Sequence, residues 1–252
     1  LIRVDFNVPL NDAREVTDDT RIRAALPTIQ HVLDAGGSVV LMSHLGRPKG
    51  ADASLSLQHI AGRVSELLGR PVKFAADCVG EAALDVTADL QPGEVALLEN
   101  LRFHAEEKAG DEFFAGQLAE NGDVYINDAF GTAHREHAST AVIAKFFPED
   151  KAFGLLLAGE IDALQKVLAH PEKPLTAIIG GAKVSSKLGI IEHLIGRVDR
   201  LIVGGGMAYT FVQAQGGAIG NSLVEPEMHA QALAILEKAS AAGTELLLPH
   251  DT

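Results

Sequence analysis

The chain has 252 residues, of which 47% are hydrophobic and 22% are charged, and these proportions are typical of a folded globular protein and exclude a disordered one. Its formal net charge of −13 repels nucleic acid and anionic lipid, so neither is an expected partner, and any bound phosphate must be held by a few basic residues gathered locally. Cys78 is the single cysteine, which excludes an intrachain disulfide and favours a reducing, cytoplasmic compartment.

In chain order, short apolar runs predict strands, and between them apolar residues recur at steps of three and four, as they do in helices. The predicted strands are residues 1–6, 38–43, 72–74, 94–98, 123–127, 175–179, 200–203 and 244–248. The clearest helical pattern is 57–68, which ends at Gly69. Pro27 interrupts the run 22–33, so a helix there either begins near Pro27 or is kinked at it. No apolar run is long enough to cross a bilayer, so no membrane partner is expected.

This alternation predicts an α/β fold of two doubly wound, parallel-sheet (Rossmann-like) domains joined by a helix, the second of them incomplete. Residues 147–153, in the sequence FFPEDKAF, break the pattern and predict a domain boundary, and the amphipathic run 159–169 predicts the joining helix. The predicted segments are a first domain at 1–153, a helix and linker at 154–173 and a partial second domain at 174–252. Because the chain begins without Met inside one predicted strand and ends just after another, we expect it to be part of a longer protein.

Basic residues follow the predicted strands of the first domain. Ligands bind beyond the carboxyl ends of parallel strands, so Arg47, Arg102 and Arg135 are expected to converge there, together with Arg21. Such a cluster repels itself unless an anion fills it, and arginine binds carboxylates and phosphates in a bidentate manner. Taken singly, an arginine such as Arg21 or Arg102 is more often a surface salt-bridge partner. Lys108 is expected to contribute almost nothing to this site.

Residues 174–189, PLTAIIGGAKVSSKLG, predict a strand that stops at Gly180 and Gly181 and a helix that carries Lys183 and Lys187 on one face. Glycines let a ligand approach the backbone, and the free amides of a helix start attract phosphate. An ordinary strand-to-helix turn has the same pattern, so the stretch alone leaves both interpretations open.

Other sequence motifs argue against two alternative classes of enzyme and against a metal site. The chain contains no GxxxxGK followed by Ser or Thr, which argues against a P-loop NTPase, and the triple glycine at 204–206 lacks the closing glycine of GxGxxG, which argues against a dinucleotide-binding dehydrogenase. His134 and His137 have no third His or Cys at a supporting spacing, so no metal is expected on the protein there.

Six runs resemble the phosphoglycerate kinase family, in the order and spacing of that family and over the whole chain. They are RVDFNVPL at 3–10, LMSHLGRPKG at 41–50, LLENLRFH at 97–104, NDAFGTAHREHAS at 127–139, GGAKVSSK at 180–187 and GGGMAYTF at 204–211. The resemblance covers the first domain of the family, its joining helix and the first part of its nucleotide domain.

The resemblance implies a glycolytic kinase that transfers a phosphoryl group between 1,3-bisphosphoglycerate and ADP to give 3-phosphoglycerate and ATP, with Mg²⁺ bound to the nucleotide. By matching position, the three-carbon acid would be held by Asp5, Phe6, Asn7, Arg21, His44, Leu45, Gly46, Arg47, Arg102 and Arg135. The nucleotide would be held by Gly180, Gly181, Lys183, Lys187, Gly204, Gly205 and Gly206. Ser186 stands where the family commonly has an aspartate, so an ion pair there is in doubt.

Arg21 and Lys183 are the residues expected to stabilise the transferring phosphoryl group. The attacking carboxylate is already ionised at neutral pH, so no general base is needed. The resemblance further implies a monomer and a site assembled by domain closure, with hinges at the joining helix and at 131–137. The alternative is that this piece of 252 residues is an inactive module that binds 3-phosphoglycerate.

Overall fold

The structure is a computed structural model that describes residues 1–169 and 171–250, and it divides into a unit that ends at Asp162 and a unit that starts at Ala163. The strands of the first unit are β1 (Ile2–Arg3), β2 (Val39–Met42), β3 (Val72–Phe74), β4 (Val95–Leu97), β5 (Tyr125–Asn127) and β6 (Lys151–Phe153). Its helices are α1 (Thr20–Asp34), α2 (Gln58–Leu68), α3 (Glu81–Thr87), α4 (Ala105–Ala109), α5 (Glu112–Ala119) and α6 (Phe130–Ala133), with short 3₁₀ helices at Ala53–Leu55, Leu101–Phe103 and Val142–Lys145. Helix α7 (Leu155–Ala169) contains the division between the units.

The first unit is built on one parallel sheet with the strand order β3-β4-β2-β1-β5-β6. Strand β1 lies inside the sheet. The strands β2, β3 and β4 that follow it in the chain lie on one side of β1, and β5 and β6 lie on the other side. The order therefore reverses at β1, and the crevice beyond the carboxyl ends of β1 and β5 is where such sheets bind ligands.

Helices cover both faces of this sheet because its strands are apolar on both sides. Val39 and Leu41 pack with residues of α1 and α2, whereas Val40 and Met42, which point to the opposite face, pack with residues of α3 and α5. The alternation of two hydrophobic clusters along β2 confirms the doubly wound arrangement predicted for the first domain.

The second unit has its own smaller parallel sheet. Its strands are β7 (Thr176–Gly180), β8 (Arg200–Gly204) and β9 (Glu245–Leu247), in that order across the sheet, and its helices are α8 (Leu188–Leu194), α9 (Met207–Ala214) and α10 (His229–Ala241), with a 3₁₀ helix at Pro226–Met228. A separate hydrophobic cluster that includes Leu201, Val203 and Phe211 forms its core. The predicted α/β class with Rossmann-like parallel sheets is confirmed.

The stretch FFPEDKAF, which breaks the sequence pattern, contains a strand that the sequence did not predict. Residues Lys151–Phe153 form the edge strand β6 and pair in parallel with β5. All three side chains are exposed, so the strand has no buried face and therefore no alternating apolar signal in the sequence. The finer division into segments 1–153, 154–173 and 174–252 remains a prediction.

Helix α1 does not begin at Pro27 but at Thr20, and it runs through the proline. Its start is marked by Asp18, whose carboxylate accepts a hydrogen bond from the Thr20 amide at 2.8 Å. Ile22 and Ile29, one on each side of Pro27, are both fully buried against the sheet. This packing offsets the backbone hydrogen bond that proline cannot donate, so the local breaker signal is overridden.

Predicted strand 1–6 pairs in the sheet over Ile2–Arg3 only, and the end of the predicted helix at Gly69 is confirmed by the left-handed conformation of that glycine. Across residues 1–169 and 171–250, no helix combines the length and the apolar character that a membrane crossing needs.

Neighbouring phenylalanines on α5 provide a matched test of this packing. Phe114 is 3% exposed and lies in the hydrophobic cluster, whereas Phe113 is 77% exposed. We expect Phe114→Ala to lower the free energy of unfolding by about 3–5 kcal/mol, because it removes buried area and leaves a cavity. Phe113→Ala should change it by no more than about 0.5 kcal/mol. Chemical denaturation of both variants measures this, and equal losses would contradict the assigned orientation of α5.

Candidate functional site

The chain leaves the first sheet immediately after β1 and carries polar side chains to the sheet edge. The Val4 amide still donates to the Met42 carbonyl at 3.1 Å, but the Phe6 amide donates to the Ser43 hydroxyl at 2.8 Å. Val4 and Phe6 are buried, so the residues between and after them, Asp5 and Asn7, face the crevice beyond the strands. The short paired length of β1 is therefore what positions these two side chains.

Asn100, which is fully buried, fastens the loop after β2 to the turn after β4. Its side-chain carbonyl accepts from the Leu45 amide at 3.2 Å and from the Arg102 amide at 3.1 Å, and its side-chain amide donates to the carbonyls of Leu45 and Leu55, both at 2.8 Å. Gly46 completes the loop in a left-handed conformation with φ of 62°, where a β-carbon would meet Leu55 at 2.9 Å. This loop requires glycine for both reasons.

A cleft of about 530 Å³ opens between these loops at the carboxyl edge of the sheet. It is lined by Asp5, Asn7, Arg21, His44, Gly46, Arg47, Arg102, Lys108, Gly131, Thr132 and Arg135. Five of these side chains are cationic, and one, Asp5, is a carboxylate. In a protein with a net charge of −13, this local excess of positive charge favours a small anion.

Most of the cleft cations lack a protein counter-ion. The carboxylate of Asp5 binds the Arg21 guanidinium at 2.8 Å. Within residues 1–169 and 171–250, no carboxylate lies within 4.0 Å of the guanidinium groups of Arg47, Arg102 or Arg135. The guanidinium of Arg102 instead donates to the Gly46 carbonyl at 2.7 Å, and this hydrogen bond holds the Arg102 side chain in place.

Burial and the close spacing of these cations shift the pKa values of two cleft residues, Arg102 and His44. Burial, and then repulsion by Arg3 and Arg135, lowers the pKa of Arg102 below its usual value. Burial, followed by the same kind of repulsion from Arg3 and Arg102, lowers the pKa of His44 to about 2, so its imidazole is neutral at physiological pH. An anion in the cleft would relieve the repulsion among the arginines.

Of the ten residues predicted for the acid site, eight line the cleft: Asp5, Asn7, Arg21, His44, Gly46, Arg47, Arg102 and Arg135. Phe6 and Leu45 do not. Both side chains are buried in the hydrophobic cluster, and both backbone groups of Leu45 are bonded to Asn100. Phe6 and Leu45 alternate along the chain with residues that line the cleft, and their side chains pack in the core beneath it.

Lys108, expected to contribute almost nothing to this site, lines the same cleft. Its effect on binding stays a prediction. It lies on the five-residue helix α4, which the 3₁₀ helix Leu101–Phe103 separates from β4, so it does not directly follow a strand. Gly131 and Thr132, on the short helix α6 after β5, were also not predicted as lining residues.

In the second unit, the turns after β7 and β8 lie side by side. Gly180 pairs with Gly204 at the ends of the two strands, and the Met207 amide donates to the Gly181 carbonyl at 2.8 Å. Gly205 has φ of 70°, and a β-carbon on it would lie 3.0 Å from the Gly181 oxygen. The close contact between the two glycine-rich turns therefore requires glycine at this position.

The prediction that Lys183 and Lys187 share one face of a helix is wrong. Helix α8 begins only at Leu188, so Lys187 stands at its N-cap and Lys183 lies in the preceding turn. The turn is closed locally, since the Lys187 amide donates to the Val184 carbonyl and the Ser186 hydroxyl donates to the Lys183 carbonyl, both at 2.9 Å. The Lys183 side chain is exposed.

Ser185 in the same turn is bonded to Glu225. The serine amide and hydroxyl donate to the two carboxylate oxygens at 3.1 and 2.6 Å. The serine hydroxyl, opposed in part by burial, lowers the pKa of Glu225 below its usual value, so this carboxylate is ionised at neutral pH.

Outside the cleft, Asp77, Cys78 and His104 have ligand atoms within 4.8 Å of one another, close enough to consider a metal. The His104 Nε2 atom, however, is 2.7 Å from Asp77 Oδ1 and donates to it, and burial raises the pKa of the Cys78 thiol. Hydrogen bonding therefore accounts for this group. His134 and His137 do not belong to it.

A model of the family described as phosphoglycerate kinase matches residues 1–252. The chain is 56% identical over 252 residues to a phosphoglycerate kinase of Moorella thermoacetica, a match that covers 100% of this chain and 63% of the relative. It is 52% identical over 250 residues to a cytosolic phosphoglycerate kinase of Triticum aestivum, covering 99% of this chain and 62% of the relative. The chain thus spans less than two thirds of the length of these relatives.

Solved structures agree with this match. A phosphoglycerate kinase from Coxiella burnetii aligns with a TM-score of 0.84 at 40% identity, covering 98% of this chain and 62% of that one. A phosphoglycerate kinase from Pyrococcus horikoshii OT3 aligns with a TM-score of 0.76 at 32% identity, covering 96% of this chain and 60% of that one.

Asn100 allows a direct test of how the cleft is held. Asn100→Ala removes four hydrogen bonds and leaves buried backbone groups of Leu45 without partners, so we expect the free energy of unfolding to fall by about 3 kcal/mol or more. Asn11→Ala, at an exposed turn, should cost less than about 1 kcal/mol. Chemical denaturation compares the two, and a loss at Asn100 no greater than at Asn11 would contradict this role.

Proposed function

The chain belongs to the phosphoglycerate kinase family, and on that premise we propose that it takes part in phosphoryl transfer between 1,3-bisphosphoglycerate and ADP, giving 3-phosphoglycerate and ATP. Because it spans about 63% of the length of its relatives, the activity, the substrates and the residue roles are proposals for this chain. The observation that supports them best is the cleft with five cations around one carboxylate.

3-Phosphoglycerate carries a carboxylate and a phosphate and fits such a cleft in charge and in size. Arg47, Arg102 and Arg135, which have no carboxylate partner among the described residues, are suited to bidentate bonds with both groups. Asn7 and neutral His44 add hydrogen-bond donors without adding to the repulsion among the arginines.

The glycine-rich turns of the second unit are suited to a nucleotide. Gly180, Gly181 and Gly204 to Gly206 leave the backbone open to a ligand, and Lys183 and Lys187 supply positive charge for phosphates. ADP and ATP are thus the proposed second substrates.

Mg²⁺ does not fit a site on this part of the protein. It prefers oxygen ligands and is usually bound by one or two carboxylates together with substrate phosphates. The turn 180–187 contains no carboxylate, and the carboxylate bonded to it, Glu225, already accepts a hydrogen bond from Ser185 at each of its oxygens. Magnesium therefore enters this proposal on the phosphates of the nucleotide only, and no step is assigned to it.

The residues of the chain act by placement and charge. In the direction that consumes ATP, the nucleophile is the carboxylate of 3-phosphoglycerate, which needs no general base, and His44 with its low pKa could not serve as one near neutral pH. Arg21, which is half-exposed beside Asp5, and Lys183 are proposed to stabilise the charge of the transferring phosphoryl group. Domain closure, a cytoplasmic location and a monomeric state stay predictions.

Calorimetry with 3-phosphoglycerate tests the acid site. We expect Arg47→Ala or Arg135→Ala to weaken binding by about 1.5–3 kcal/mol each, because each removes charged hydrogen bonds to the ligand. Arg23→Ala is the control, since Arg23 pairs with Asp19 and lines a different cavity. Lys108 cannot serve as a control, because it lines the cleft. Equal losses at all three arginines would mean that binding is not localised in the cleft.

Kinetics test the role of Lys183. In a protein that contains these residues at the full length of the relatives, Lys183→Ala should lower kcat much more than it raises the KM for the nucleotide, if this lysine acts mainly in the transition state. A change confined to KM would make it a ground-state phosphate contact. Tight binding of 3-phosphoglycerate with no transfer by the 252-residue piece would support the alternative of a binding module, whereas transfer at full length would support the enzyme.

A further inference from the structure

Arg3 is a cation with 1% of its surface exposed, directly behind the cleft at the end of β1. Its Nε atom donates to the Ser139 hydroxyl at 2.9 Å, and one terminal nitrogen donates to the Val4 carbonyl. The other terminal nitrogen lies 3.1 Å from Nδ1 of His44. Arg3 does not line the cleft, so it does not contact a bound anion directly. Its link to the cleft is its contact with His44.

A buried carboxylate compensates the charge of Arg3. Glu107 has no exposed surface, and its two oxygens accept from the Ser139 hydroxyl at 2.7 Å and from the Ser139 amide at 2.9 Å. Ser139 therefore joins Arg3 to Glu107 through one hydroxyl group. Two buried opposite charges joined in this way are expensive unless they are hydrogen-bonded, and the bonds to Ser139 and Val4 fix the guanidinium in one orientation.

This orientation determines the state of the His44 ring. A guanidinium group has donors and no acceptor, so Nδ1 of His44 must be the acceptor and can carry no proton. The hydrogen-bond network thus assigns the neutral tautomer with its proton on Nε2. Asp5 Oδ1, the other group facing Nδ1, is 3.9 Å away and has no hydrogen-bond partner among the described residues.

We propose that Arg3 is a positioning residue of the acid site, which holds His44 in the Nε2–H tautomer so that the cleft presents a neutral N–H donor to the bound anion. The identity of that anion rests on the proposed function. The tautomer does not, because it follows from the contacts of Arg3 alone.

The consequence of removing Arg3 follows from the groups around His44. Those that face it are Arg3 itself, Asp5, Arg21, Arg102 and Arg135. Without Arg3, the Nδ1 atom is free to take a proton and to donate towards Asp5. The Nε2 atom then becomes an acceptor and repels an anion, until the ring is protonated at lower pH and regains its Nε2–H. Anion binding by such a variant should therefore improve as the pH falls, in excess of any titration of the ligand.

The test is ¹⁵N NMR of the histidine rings in the full chain, with His44→Gln used to assign the His44 signals. We expect the wild-type His44 ring to show the Nε2–H tautomer with no titration between pH values of about 5.5 and 8. In Arg3→Met it should titrate or shift to the Nδ1–H tautomer, and Arg3→Lys, which keeps a charged donor, should restore the wild-type signals at least in part. A wild-type His44 ring that is protonated or in the Nδ1–H tautomer would overturn the proposal. This measurement does not depend on whether any variant folds.

Calorimetry with 3-phosphoglycerate over the same pH range gives the second measurement. For Arg3→Met we expect a dissociation constant about tenfold above that of the wild type at pH 8 and a smaller ratio at pH 5.5. Arg63→Met is the matched control, because Arg63 is bonded to Asp19 and Glu66 outside the cleft and the titration of the ligand is the same for every variant. A ratio for Arg3→Met that is independent of pH would reduce Arg3 to a structural role. Failure of the wild type to bind 3-phosphoglycerate would instead count against the proposed function, and the NMR result would still decide the tautomer.

Discussion

The mutual repulsion of cations at one edge of the first sheet is the constraint on which the site depends. Arg47, Arg102 and Arg135 lie around one small cleft without carboxylate partners among the described residues, so other interactions must hold them together. The structure supplies these interactions from neutral groups. Asn100 fixes two loops through four hydrogen bonds, and the Gly46 carbonyl holds the guanidinium of Arg102. An anion bound in the cleft would relieve the unfavourable charge.

The protonation of the site follows from the same constraint. Burial, and then repulsion by the arginines, lowers the pKa of His44 and keeps its imidazole neutral, and buried Arg3 is placed to donate to its Nδ1 atom. Arg3 can lie in the core because Glu107, through Ser139, compensates its charge. Arg3, Ser139 and Glu107 thus connect the buried interior to the cleft, while the proposed phosphoryl transfer requires no group of the protein that gains or loses a proton.

The sequence by itself determined the α/β class, because apolar runs alternate with helical patterns and this periodicity follows from local geometry. It also determined that Arg47, Arg102 and Arg135 would meet, since residues after parallel strands share one edge of the sheet. It did not reveal the edge strand Lys151–Phe153, whose exposed side chains carry no pattern. Nor did it show that α1 runs through Pro27, where burial of the flanking residues outweighs a local preference.

Only the tertiary structure decided which side chains reach the cleft. Phe6 and Leu45 lie in the motifs but are buried in the core, and Lys108 reaches the cleft from a short helix that a 3₁₀ helix separates from β4. Lys183 and Lys187 lie in a turn and not on one helical face, because Ser186 and Val184 close that turn before α8 begins. The role of Arg3 likewise depends on partners 41 and 136 positions away in the chain. Contacts between residues so distant in sequence arise from packing, and no local pattern records them.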